Sequence, residues 1–173
     1  MIPVRLSENF LGLPALEIIP RLMGAFLVRH TDRIRRYRIT EVEVYSGEAD
    51  EANHARKGRT QRTRVMYEKG GLAYVYLVYG MHWMFNIVTG PKDYPEAILV
   101  RGVESITGPG RLTKALSIDG AFNGEDLCHS NRLWLESSDL ESNQKKIEEG
   151  PRIGIHYAGD YWRNIGWRFR WNG

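Results

Sequence analysis

Cysteine is nearly missing from the 173 residues: Cys128 stands alone. That excludes an intramolecular disulfide and any multi-cysteine zinc or iron–sulfur centre, and it agrees with a reducing compartment. No apolar run reaches the roughly 18 residues a membrane-spanning helix needs. The N-terminal stretch lacks a basic start followed by an apolar core, so no secretory signal is expected. Excess charge of one sign is scarce, with 24 basic against 21 acidic residues and a net charge of +3. P-loop and serine-hydrolase patterns are absent, as are repeats, low-complexity segments and a domain linker.

What is present suits one domain over residues 1–173, with hydrophobic content of 42% and charged content of 26%. The charge is segregated. Arg29, Arg33, Arg35, Arg36 and Arg38 precede one apolar stretch, and Arg56, Lys57, Arg59, Arg62, Arg64 and Lys69 crowd a later polar one. Acid collects at Glu48, Asp50 and Glu51 and between Glu136 and Glu149. Such segregation builds an anion-binding face on a near-neutral protein, or else a solvated surface with no partner.

Residues 1–14 read as an irregular lead-in. Ala15 to Leu27 is apolar at helical spacing, with Pro20 setting a kink or a first turn. Ala25 to His30 and Ile34 to Tyr45 read as strands. Ser46 to Gly71 is a long polar loop, expected to be functional or to contain short helical turns. Leu72 to Tyr79 and Met81 to Thr89 form a tight hairpin about Gly80, followed by a strand from Glu96 to Val103. Gly108-Pro-Gly110 precedes a short helix, Arg111 to Ser117, whose free N–H groups either hold a phosphate or simply begin the helix. Leu133 to Leu135, Arg152 to Ile155 and Trp167 to Trp171 read as short extended pieces, and Ser137 to Gly150 as a surface excursion. The sum is an α+β fold, a single mixed domain with a mainly antiparallel sheet and flanking helices.

The strand Ile39-Thr-Glu-Val-Glu-Val-Tyr45 alternates with period two, placing Val42 and Val44 on one face and Glu41, Glu43 and Tyr45 on the other. A partly buried Glu43 has the makings of a general base on water; Glu41 competes for the role, and a surface glutamate is the plain alternative. Tyr74 and Tyr76 share a face of the hairpin. Tyr74 fits a packing role, whereas Tyr45 and Tyr76 suit the walls of a slot for a flat ring. Tyr79, at the hairpin tip, is poorly explained by core packing and suits a wedge between stacked bases. His54 suits a pocket rim; a metal is not expected, because no second histidine lies at ligand spacing. Asn86 is an amide on an otherwise apolar strand, able to tell donor from acceptor edges of a base. Cys128-His129 is the remaining nucleophile candidate, without supporting surroundings. Together these parts make base flipping followed by N-glycosidic hydrolysis: a basic loop grips phosphates, a tyrosine fills the gap, and Glu43 activates water.

The stretches Ile39 to Tyr45, Asp50 to His54, Arg62-Thr63, Tyr74 to Tyr76, Tyr79-Gly-Met81, Asn86, Leu99-Val-Arg101, Gly108 to Leu112 and Arg152-Ile-Gly154 resemble the alkyladenine (3-methyladenine) DNA glycosylase family, mammalian-type. The resemblance runs nearly end to end. It implies a monofunctional DNA glycosylase of base-excision repair, acting on alkylated purines and often hypoxanthine in double-stranded DNA, without cofactor or metal. It implies a curved antiparallel sheet with a protruding hairpin. By the same resemblance, Glu43 is the base and Arg101 helps place the water. Tyr45, His54, Tyr76 and Asn86 hold the base, Tyr79 is the wedge, and Met81 lies beside it. Arg59, Arg62, Arg64 and Arg111 are expected on the DNA. A monomer is expected, cytoplasmic and nucleoid-associated in a bacterium or nuclear in a eukaryote. A non-catalytic module that binds damaged nucleic acid is the competing reading. A lyase is a third, and it needs a lysine at the sugar (Lys57, Lys69 or Lys114).

Overall fold

A computed structural model describes residues 2–138, 140 and 146–172. The elements run α1 (Glu8–Leu11), α2 (Ala15–Leu22), β1 (Phe26–His30), β2 (Ile34–Ser46), β3 (Ala73–Val78), β4 (His82–Val88), β5 (Glu96–Val103), β6 (Ile106–Thr107), α3 (Pro109–Leu116), β7 (Leu133–Glu136), β8 (Ile147–Gly150), α4 (Asp160–Asn164) and β9 (Arg168–Trp171). All strand pairs are antiparallel, in the spatial order β3-β4-β5-β2-β1-β7, with β6 on β5 and with β9 joining β2 to β8.

Strand β2 is the spine. Its first half pairs with β1 and its second half with β5 and β9. The change of partner falls at register shifts around Ile39, Glu41 and Val42. A bulge there bends and twists the strand, which curls the sheet. The expected alternation holds for Val42 and Val44, which sink into the main core with Leu11, Ile18 and Leu22 from the helices; Ile39, of the opposite parity, joins them across the register shift. Glu43 and Tyr45 face the other side, beneath the long polar loop.

That loop contains the expected helical turns, at His54–Lys57 and Arg64–Tyr67. Val65, Met66 and Tyr67 anchor it on Tyr74, Val88 and Ala97. Asn53 pins its start: the side-chain oxygen accepts from the Ala55 N–H, and Nδ2 donates to Gly47 and Pro95 carbonyls.

Four expectations need correction. The lead-in holds α1, capped by Ser7, because Phe10 and Leu11 are buried; one turn is too short to show a period. Helix α2 stops at Leu22 rather than Leu27, since Gly24 at φ 76 swings the chain into β1. Part of the expected 137–150 excursion is strand β8 on β9; residues 139 and 141–145 lie outside the described residues. Arg152 to Ile155 is not a strand: Arg152 turns inward to Asp50, and Gly154 at φ 75 breaks the extended run. Helix α4, which buries none of its residues, had no apolar face to betray it.

The two arginine clusters do not merge. Arg35 and Tyr45 lie ten residues apart on one strand, roughly 30 Å. Most of the first cluster makes contacts within the fold: Arg29 caps the Leu116 carbonyl at the end of α3, Arg35 pairs with Asp32, Arg36 pairs with Glu136, and Arg38 donates to the Gly24 carbonyl.

Candidate active site and nucleic-acid interface

A cavity of about 540 Å³ opens between the β3–β4 hairpin, the turn at His54 and the segment 153–157. Tyr45, His54, Arg62, Tyr76, Tyr79, Asn86 and Arg101 all line it, so seven of the expected site residues come together. Glu43 lies one layer below the wall, with no solvent exposure. Three residues that do line the cavity touch it. The Tyr45 hydroxyl donates to Oε2 at 2.7 Å, the Ile153 N–H donates to Oε1 at 2.7 Å, and Arg101 Nε stands 3.5 Å from Oε1. Burial pushes the Glu43 carboxyl above its ordinary value of 4.5, opposed by Arg101, by the Tyr45 and Ile153 hydrogen bonds and by Arg152. Glu41, the competing carboxylate, is occupied: Oε1 accepts from Arg168 at 2.6 Å and from Arg101 at 3.3 Å.

The walls are aromatic. His54 meets the Tyr76 ring edge-on, with centroids 4.5 Å apart, and its Nδ1 lies 3.1 Å from the Tyr74 hydroxyl. Burial, then Arg62 and Arg56, lower the His54 pKa to about 4, so the ring is neutral at physiological pH. Arg62 lies over the Tyr76 ring, 5.2 Å from its centroid. Burial also holds the Tyr45 and Tyr76 phenols above their ordinary 10.0, so both stay protonated. Tyr74 is buried, as a packing role requires. Asn86 Nδ2 donates to the Tyr74 carbonyl at 3.0 Å, which fixes the amide's orientation in the wall.

At the hairpin tip Tyr79 and Gly80 both adopt positive φ, 51 and 67, closed by the Met81 N–H on the Val78 carbonyl. A tyrosine rarely accepts that backbone, and the residue is 90% exposed, so packing does not account for it. Met81 is 69% exposed but lines a different groove, with His82 and Trp83 against α3. Arg59, Arg64 and Arg111 are exposed outside the cavity. Arg59 is held by Asp93 and lies over Tyr67. Among the described residues no lysine lines the cavity. Cys128 is a buried thiol, pushed up to about 11 chiefly by burial, which removes thiolate chemistry at neutral pH.

Three contributors escaped the sequence reading. The Ile153 N–H is backbone and carries no side-chain signal. Tyr157 lines the cavity, with its hydroxyl on the Ala52 carbonyl. Asp50, placed with the surface acids, is fully buried because Arg152 neutralises it at 2.6 Å.

A family model described as methylpurine-DNA glycosylase matches residues 9–108 and 104–173. A relative from Methanocella arvoryzae is 42% identical over 90% of this chain and 86% of its own. One from Myxococcus xanthus is 44% identical over 90% and 84%, and one from Borreliella burgdorferi 42% over 90% and 89%. Each of the three bears 3-methyladenine DNA glycosylase as a provisional name.

Proposed function

The chain belongs to the methylpurine-DNA glycosylase family, and from that premise we propose that it frees alkylated or deaminated purines by hydrolysis of the N-glycosidic bond, with Glu43 as the general base. One observation carries the mechanism: a fully buried carboxylate beneath an aromatic cavity, joined to that cavity by Tyr45, Ile153 and Arg101.

The geometry supports the following steps. A damaged nucleotide leaves the duplex and Tyr79 fills the gap, recovering part of the lost stacking. The purine lies against Tyr45, His54 and Tyr76, and Asn86 reads its edge. Glu43, covered in the free protein by the Tyr45 hydroxyl and the Ile153 N–H, meets a water at the cavity floor beside Arg101 once the bound nucleotide shifts that cover; it draws a proton from the water, which attacks C1′. A methylated purine carries positive charge and leaves as the neutral base, whereas hypoxanthine and ethenoadenine are neutral and leave after taking up a proton from solvent; one carboxylate suffices for a charged or easily protonated base. Among the described residues no lysine lines the cavity to form a Schiff base, which supports a monofunctional enzyme over a lyase. The partner is double-stranded DNA, bound by a monomer.

Incubation in EDTA with duplex DNA carrying one 1,N6-ethenoadenine or hypoxanthine, followed by hot alkali, tests this reading. Strand scission only after alkali is expected. Scission without alkali identifies a lyase. Gel-shift binding without excision of these bases or of 3-methyladenine identifies the inert binding module.

Three further results are expected. Tyr79→Ala weakens capture of the extruded state by about 1–3 kcal/mol, the worth of one stacked aromatic, read from binding to lesion-bearing duplex. Arg64→Ala lowers the slope of log affinity against log salt by about one unit, while wild-type affinity falls steeply with salt; a flat response removes the loop from the phosphates. The third concerns pH. A base must be anionic, so activity falls as pH drops through the Glu43 pKa, above 4.5. His54 stays neutral down to about pH 4, so His54→Gln lowers the rate but leaves that acid limb in place. Loss of the limb in His54→Gln assigns the titration to histidine instead.

A further inference from the structure

Behind the Tyr45 wall lies an ion pair that hydrolysis does not itself require. Asp50 and Arg152 side chains are both wholly buried. The guanidinium is bidentate, Nη1 to Oδ2 at 2.6 Å and Nη2 to Oδ1 at 2.9 Å. The same nitrogens donate to the Val44 and Trp162 carbonyls. The Asp50 oxygens also accept from the Ser46 and Ala52 N–H groups, at the start of the turn that carries His54. The flat cation stands 4.8 Å from the Tyr45 ring centroid and 5.2 Å from that of Trp167. Arg152 also directly precedes Ile153. Both hydrogen bonds on Glu43 therefore come from groups that this pair holds, the Tyr45 hydroxyl and the Ile153 amide.

Stability alone is a weak reason for such a pair, because well-packed apolar residues commonly replace one at no loss. This one also leaves Arg152 Nε without a partner, the one such buried side-chain atom among the described residues. Resting on the reading of Glu43 as the base, we propose that Asp50–Arg152 is a positioning pair that aims the Glu43 carboxylate by fixing the Tyr45 ring and the Ile153 amide. Without it both hydrogen bonds loosen, the carboxylate drifts from the attacking water, and its anion loses two donors. The other groups facing Glu43 remain: Arg101 from β5, Glu41 from β2, Tyr76 from β3, Arg168 from β9 and Tyr157 from the C-terminal segment.

The test uses the double variant Asp50→Asn/Arg152→Met, which removes both charges together and so leaves no buried unpaired charge, and the single variant Arg152→Lys, which keeps the charge but loses the fork and the stacking. Each is followed by thermal melting, gel shift on ethenoadenine duplex and single-turnover excision across pH, with Glu43→Gln alongside. The double variant is expected to melt cooperatively and bind as wild type, to excise about 30–100-fold more slowly, and to shift its acid limb to higher pH. Arg152→Lys is expected to move rate and limb the same way by less. A folded double variant with wild-type rate and limb overturns the proposal, leaving the pair a purely structural role. If the double variant fails to fold, Arg152→Lys decides in the same terms. Full activity in Glu43→Gln refutes the assignment of the base itself, a result distinct from any the pair variants give.

Discussion

Glu43→Gln is expected to lower single-turnover excision by about 10²–10⁴-fold, the usual worth of a positioned general base, with binding to lesion-bearing duplex little changed. The substitution is nearly isosteric. It removes the negative charge, and it presents an NH2 group where one of two donors, the Tyr45 hydroxyl or the Ile153 N–H, now finds an oxygen. Turned so that its oxygen meets the Ile153 N–H, the amide NH2 donates to the Tyr45 hydroxyl, which accepts as well as donates, so the charge is what the substitution removes. Binding depends on other groups, the basic loop and the exposed Tyr79 ring, so gel-shift affinity separates the two roles. A rate within a fewfold of wild type places the base elsewhere. Glu41 is then a poor substitute, because Arg168 and Arg101 already hold its Oε1. The acid limb supplies an independent check: if Glu43 is the base, the residual activity of Glu43→Gln loses that limb.

Side-chain pattern carried most of the fold and the inner wall of the site. Period-two alternation from Ile39 to Tyr45 put Val42 and Val44 in the core and Glu43 beside Tyr45, as the sheet requires. The tip at Gly80 followed from one glycine between two apolar runs, and with it the exposure of Tyr79. The limits have physical causes. Helix α1 is one turn long and α4 buries nothing, so neither leaves a periodic trace. The Ile153 amide is backbone, and any non-proline residue supplies one. Asp50 and Arg152 lie 102 positions apart, and each looks like a surface charge until the fold brings them together. Composition left two readings open at Arg29 to Arg38, an anion-binding face or a solvated surface. A carbonyl cap and ion pairs absorb Arg29, Arg35 and Arg36 instead. The depth of Glu43 was only half legible: alternation gave its face, but the N–H that covers Oε1 comes from Ile153, far along the chain.

Asp50→Asn alone is expected to cost about 3–5 kcal/mol of stability, because it leaves Arg152 buried as an uncompensated cation. For a chain of this size that lowers the melting temperature by on the order of 10 °C. The asparagine oxygen can keep one of the Ser46 and Ala52 N–H bonds, so the loss stems mainly from charge rather than from the loop cap. Adding Arg152→Met removes the orphan and is expected to restore much of the melting temperature, a coupling that a double-mutant cycle measures directly. An Asp50→Asn protein as stable as wild type would mean that water reaches the guanidinium or that the pair is already loose. Recovery of stability without recovery of rate is the combination that separates the two uses of this pair. A fold needs only that the buried charge be balanced, and two neutral side chains do that equally well. Aiming a carboxylate needs a rigid fork between a stacking wall and a backbone amide, and no neutral pair provides one.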